Sequence, residues 1–344
     1  MLKERIRQLH LPPFPQSRPQ ALDTLLREEY GYLPPKPVSM SWEELETNPR
    51  FCAGKAPLKK VQLNCLLPSG RSFAFPVYCA VPADGKAHPA FLHINFRTSL
   101  PDMYQPSEEL CDNGYAVFTF CYNDVTRDNG DFTDGLAGVL FENGERRADT
   151  DCGKIAMWAW AASRVMDYIC TLPEIIHDRV SVIGHSRLGK TALLAGATDE
   201  RFFCAISNDS GCSGAAVTRQ KQGETVKDIV DRFPYWFCKN YYKYAGRESE
   251  MPFDQHWLIG AIAPRYAYVC SAAEDLWADP ESEHLACVAA GEVYGEGGFV
   301  TCDRPPRAGD IFHGGRIGYH LRAGLHFLSR EDWLNYISFL GRKL

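Results

Sequence analysis

The stretch Arg179-Val-Ser-Val-Ile-Gly-His-Ser-Arg-Leu-Gly-Lys190 decides the fold of this chain. Residues 180–183 are a short, mostly β-branched run of the kind a buried parallel strand requires. Gly184 ends the run, three polar residues follow, and from Gly189 the chain turns small and helix-compatible through residues 191–197. A strand, one sharp turn and a helix, with Ser186 at the apex, predict a nucleophile elbow. The spacing is G-x-S-x-x-G, one residue longer than the common G-x-S-x-G form. The competing reading is a surface serine on a strand-to-helix loop, so the rest of the chain has to supply the partners.

Outward from the elbow, the pattern alternates strands with helices. Residues 154–170 form an apolar-striped helix just before it, with Trp158 and Trp160 read as core, and residues 203–208 form the next strand. Residues 90–96 and 115–122 are unbroken apolar runs, read as interior strands of a mostly parallel sheet, and 61–67 with 73–81 read as an antiparallel hairpin. Residues 265–271 are a further strand. Asp279-Pro-Glu opens a helix with Asp279 as its cap, and residues 331–340 close the chain as a helix. The prediction is an α/β-hydrolase fold, a three-layer sandwich with helices on both faces of the sheet. Residues 1–60 are expected to be a lead-in packed on a single catalytic domain of 61–344. The polar, Gly-rich segment 123–151, with Asp124, Asp128, Asp131 and Asp134, reads as a solvated rim loop, and the aromatic-rich 219–262 as a helical lid.

The 344 residues carry a net charge of −6, which argues against nucleic-acid and membrane-surface partners. No segment approaches the roughly 18 apolar residues of a membrane span. The thirteen cysteines lack metal-ligand spacing and sit mostly in apolar runs. They read as buried free thiols of a reducing compartment. With no secretory leader evident in residues 1–15, a cytoplasmic location is expected, the alternative being secretion with the leader already removed. Nothing in the pattern calls for a metal or an organic cofactor, and the oligomeric state is not encoded in any readable motif.

An elbow serine needs an acid and a histidine later in the chain. His326, directly ahead of the closing helix, is the expected base; His313 and His320 read as structural. His185, beside the nucleophile, is expected to point away from it, and His256 to lie in the core. Two acids are open: Asp275, past the strand one step before the histidine loop, is preferred, and Asp209, past the strand beside the elbow, is the alternative. Arg187 follows the nucleophile, so its backbone N–H belongs to the oxyanion hole and its guanidinium adds a fixed positive charge. The competing reading of Arg187 is a salt bridge that braces the elbow. Lys190, one helical turn beyond Ser186, faces the same side.

The run Gly184-His-Ser-Arg-Leu-Gly-Lys190, with Asn208-Asp-Ser-Gly-Cys-Ser-Gly-Ala-Ala216 downstream, resembles the glucuronoyl esterases of carbohydrate esterase family 15, in their bacterial branch. The likeness continues through Gly223-Glu224, Phe233-Pro-Tyr-Trp-Phe237, Asp275-Leu-Trp277 and His326. It implies hydrolysis of esters between (4-O-methyl)glucuronic acid on xylan and a lignin alcohol, or of smaller uronate esters. By position it implies Ser186 as nucleophile, His326 as base, Arg187 as oxyanion stabiliser, and Lys190, Glu224 and Trp277 as contacts to the uronate. The family's acid occurs at two sites, matching Asp275 and Asp209. The alternative function is an acetyl-xylan or other carbohydrate deacetylase with the same triad.

Overall fold

A computed structural model describes residues 1–343. Its centre is a ten-stranded sheet: β1 (Ser39–Asn48), β2 (Leu58–Leu66), β3 (Ser72–Ala80), β4 (His88–Asn95), β5 (Ala116–Cys121), β6 (Ile175–His185), β7 (Cys204–Asn208), β8 (Tyr266–Ala272), β9 (Ile311–Phe312) and β10 (Ile317–Arg322). The spatial order is β1-β2-β3-β5-β4-β6-β7-β8-β10-β9. The run from β5 through β4, β6, β7 and β8 to β10 is parallel, while β1–β3 and β9 attach antiparallel at the two ends.

Period-two alternation divides the sheet's side chains between two apolar layers. Val180, Val182, Ala205, Ala267 and Val269 pack with helices α1 (Lys154–Ile169), α2 (Arg187–Thr198) and α3 (Pro280–Tyr294). Ile183, Cys204, Ile206, Tyr268 and Cys270 face the other way, onto Leu110 and helix α4 (Arg330–Leu340). This is the α/β-hydrolase sandwich that the strand–helix alternation predicts. Because parallel strands all point the same way, the loops after β6, β7, β8 and β10 gather at one edge, where sites of open α/β sheets form.

The N-terminal expectation needs correction. Residues 1–60 are not merely a lead-in, because β1 and the start of β2 are strands of the sheet and pair over residues 39–48 and 58–66. Glu43, Glu44 and Glu46 broke the apolar alternation that would have announced β1, and as an edge strand it needs little burial. The residues before it do pack on the domain: Arg18 donates to the carbonyls of Ala261 and Ala197, and Trp257 Nε1 donates to Pro12. Segment 219–262 is a series of short helices, from Val226–Arg232 to His256–Gly260. Among the described residues, no helix is long and apolar enough to cross a membrane.

Candidate active site

Ser186 sits between the last residue of β6 and the first of α2, at φ 57° and ψ −128°. A non-glycine residue in such a region is strained by about 1–3 kcal/mol and persists only when its surroundings over-determine it. Here the Ser186 N–H donates to Asn208 O at 2.8 Å, and the Ser186 carbonyl accepts from Gly189 N–H at 2.8 Å to start the helix. Gly184 makes the turn possible, since a Cβ there would lie 2.0 Å from the Leu188 carbonyl oxygen.

Ser186, Arg187, Lys190, Asp209, Glu224, Asp275, Trp277 and His326 all line one cavity of about 330 Å³. Arg232, Phe233 and Trp236, not singled out in the sequence as ligand-facing, complete its wall. A second cavity of about 350 Å³, walled by Phe96, Arg97, Tyr104 and His185, meets the first at Ser186, Arg187 and His326.

The two candidate acids have different partners. Asp275 Oδ2 accepts from His326 Nδ1 at 2.6 Å, and its Oδ1 accepts from the Ala278 N–H at 3.2 Å. Partial burial alone would raise this carboxyl, but the His326 hydrogen bond and charge outweigh it and hold it below the usual carboxylate range. Asp209 follows β7 at φ 45°, and its Oδ2 accepts from Arg322 Nη2 at 3.1 Å and from the Phe327 N–H at 3.4 Å. Its Oδ1 is buried without a partner among the described residues. Burial, with the Glu283 carboxyl nearby, pushes Asp209 well above the usual range despite Arg322. Arg322 also donates to the carbonyls of Leu325 and Phe327, on either side of His326, and its Nε reaches both oxygens of Asp332 at 3.1 Å. Asp275 therefore bonds the imidazole itself, while Asp209 and Arg322 brace the loop that carries it. Arg322 was missed in the sequence, where nothing separates it from the other arginines.

His185 does not turn away from the site. Its ring packs on that of His326, and Nδ1 bonds Asn208 Oδ1 at 2.6 Å. Burial, then the charge on His326, lowers its pKa to about 3, so it stays neutral. His313 and His320 sit deeper, both bonded to the Tyr268 hydroxyl, and His256 bonds the Pro12 carbonyl.

Lys190 is buried, and Nζ donates to the backbone carbonyls of Ser210 (2.5 Å) and Cys212, with Glu224 Oε2 4.0 Å away. Two of its three protons thus serve the segment 208–216, leaving one for Glu224 and the cavity. Trp277 is half exposed at the cavity rim. Arg187 does form the salt bridge of the competing reading, to Asp128, yet it also lines the cavity beside Ser186. Asp128 departs from the rim-loop expectation for 123–151: its mostly covered carboxylate turns inward and takes Trp236 Nε1 at 2.6 Å and the Tyr122 hydroxyl at 3.1 Å.

A serine on a strained elbow, a carboxylate–imidazole pair and a guanidinium around one cavity form the constellation of acyl transfer. The family profile described as "Glucuronyl esterase, fungi" matches residues 67–298. The chain belongs to this esterase family. The matched span holds every proposed site residue except His326, which lies beyond it. A carbohydrate esterase from an unknown prokaryotic organism is 42% identical over 236 residues, covering 67% of this chain and 54% of that protein. A 4-O-methyl-glucuronoyl methylesterase from Podospora anserina is 29% identical over 266 residues, covering 74% of this chain and 50% of that protein. The chain thus spans about half the length of the curated relatives it matches. Among solved structures, a glucuronoyl esterase from Solibacter usitatus superposes with a TM-score of 0.86 at 32% identity, covering 95% of this chain and 92% of that one.

Proposed function

We propose that this protein is a serine esterase that hydrolyses esters of glucuronic acid, with or without 4-O-methylation, through an acyl-enzyme. The observation that carries the reading is the bond between His326 Nδ1 and Asp275 Oδ2, in a ring that lines the same cavity as Ser186. With Nδ1–H donated to Asp275, Nε2 keeps its lone pair and accepts the Ser186 proton as Oγ attacks the ester carbonyl. Negative charge then develops on the carbonyl oxygen, where the Arg187 N–H and guanidinium stabilise it. Collapse expels the alcohol, which takes the proton back from His326. A water activated by the same nitrogen hydrolyses the acyl-enzyme, releasing the uronic acid and restoring Ser186.

In this ester the sugar is the acyl part and stays on Ser186, so recognition should concentrate in the cavity with Lys190, Glu224 and Trp277. Glu224 and Lys190 suit a diol edge, and the exposed Trp277 ring suits a pyranose face. The partner is therefore a small uronate ester or a glucuronoxylan fragment. The thirteen free thiols, ten of them buried, support action in the cytoplasm, on uronate esters small enough to be taken up. Immunodetection of the native protein in culture fluid rather than in the cell interior would reverse that placement.

Turnover of methyl glucuronate against p-nitrophenyl acetate tests the substrate reading. A deacetylase places the sugar in the leaving group and needs room for only a methyl on the acyl side. Acetate turned over faster by orders of magnitude would replace the uronate assignment with that one.

A further inference from the structure

Arg187 bears on the chemistry only if its guanidinium is held still, because a stabilising charge has to be in place before the oxyanion forms. A long side chain at a cavity wall does not hold itself. The structure supplies a clamp from the segment between β5 and α1. Asp128 Oδ2 accepts from Arg187 Nη1 and from the Tyr122 hydroxyl, while Oδ1 accepts from Trp236 Nε1. The guanidinium carbon lies 4.7 Å over the Trp236 ring, with Phe233 at 5.5 Å and Phe96 at 5.8 Å. One edge is thus pinned by a carboxylate and one face by an indole that is itself tied to that carboxylate. Arg187 Nε is buried and has no partner among the described residues, so the clamp leaves this donor uncommitted.

The loop bearing Asp128 is stapled in turn. Lys154, fully buried at the start of α1, donates Nζ to the carbonyls of Arg127 and Asp131 on either side of Asp128. The Tyr235 hydroxyl reaches the Asp128 carbonyl at 3.3 Å. A buried ammonium is costly unless it is paired and hydrogen-bonded, so Lys154 holds these carbonyls, and Asp134 at 3.8 Å, firmly in place.

We propose that Asp128 is a positioning residue that acts through Arg187, fixing the guanidinium where negative charge builds on the attacked carbonyl. This inference rests on the acyl-transfer reading above. If Asp128 merely stabilised its loop, its loss would weaken the protein in any background. If it acts through Arg187, its loss should cost nothing once Arg187 is gone.

The experiment is a double-mutant cycle of Asp128→Asn and Arg187→Ala, with kcat and KM measured on methyl glucuronate. Asparagine keeps an acceptor for Trp236 but removes the charge. Asp128→Asn is expected to lower kcat by about 10- to 100-fold, with KM moved less than about threefold. In the Arg187→Ala background it should change kcat by less than about twofold. Additive losses, or an unchanged kcat in Asp128→Asn, overturn the inference. Should Asp128→Asn fail to fold, Tyr122→Phe removes one donor to the same carboxylate. A smaller kcat loss that vanishes in Arg187→Ala then supports the inference, and one that persists there overturns it. If the wild type turns over acetate but no uronate ester, the substrate reading fails. The cycle is then read on p-nitrophenyl acetate, whose tetrahedral intermediate makes the same demand.

Discussion

The ring of His185 packs on the ring of His326 with centroids 4.4 Å apart and planes tilted by 41°. The contact joins the residue before the nucleophile to the proposed base, two positions separated by 141 residues of chain (326 − 185). Its partner on the other side is the Asp275 carboxylate, so a ring that is 43% exposed is nevertheless held from two directions.

His185→Ala removes the wall without touching a reacting atom. We expect kcat to fall by about tenfold, with KM within about twofold, since small misplacement of a proton-transfer group is costly. Steady-state kinetics on a glucuronate ester check this, and an unchanged kcat would show that Asp275 alone holds the ring.

The two acids separate by the same method. Asp275→Asn leaves His326 in the wrong tautomer and should lower kcat by about 10⁴-fold. Asp209→Asn imitates the protonated acid that burial already favours there, so it should cost less than about tenfold. The reverse ranking would move the triad acid to Asp209.

Trp277→Ala should raise KM for glucuronate esters by about 5- to 50-fold, with little change in kcat, because a ring face lost from the rim weakens ground state and transition state alike. A fall in kcat at constant KM would place the tryptophan in the chemical step instead.

Stability should depend on pH through Glu29, a buried carboxyl that does not line the cavity. Burial raises this carboxyl from 4.5 to about 8, against two hydrogen bonds of 3.1 Å from Gln255 Nε2. The folded chain therefore keeps a proton that the unfolded chain releases, and stability is lost as pH rises through that window. Glu29→Gln removes the titration, so its Tm relative to wild type should be more favourable at about pH 8.5 than at about pH 5. Equal differences at both values, measured by thermal denaturation, would rule out Glu29 as the source.

Gly184→Ala drives a methyl into the Leu188 carbonyl at the tightest point of the elbow. A loss of about 2–4 kcal/mol, or failure to fold, is expected, read from denaturant midpoints beside the wild type. A variant as stable as wild type would mean that the turn relaxes without resistance.

Local patterning made most of the fold legible. The runs in β5, β7, β8 and the second half of β6 are mostly apolar because both faces are covered, and α1 and α2 carry their own helical period. Strand β1 escaped, since a charged edge strand has no such pattern. Ser186 was legible for a related reason: the elbow is a local device, written in a glycine, a serine and a helix start within a few residues.

Pairings across space were another matter. Asp128 looked like one more acid in a polar loop, and it became a counter-ion because the loop folds inward onto Lys154 and Trp236. Arg322 was one arginine among many until β10 brought it against Asp209, Asp332 and the carbonyls flanking His326. Periodicity determines which face a side chain takes, so the sequence alone determined the sandwich and the place of the serine. Which carboxylate meets which cation depends on loop conformation and on Coulomb forces between residues distant in the chain, and only the tertiary structure decided that.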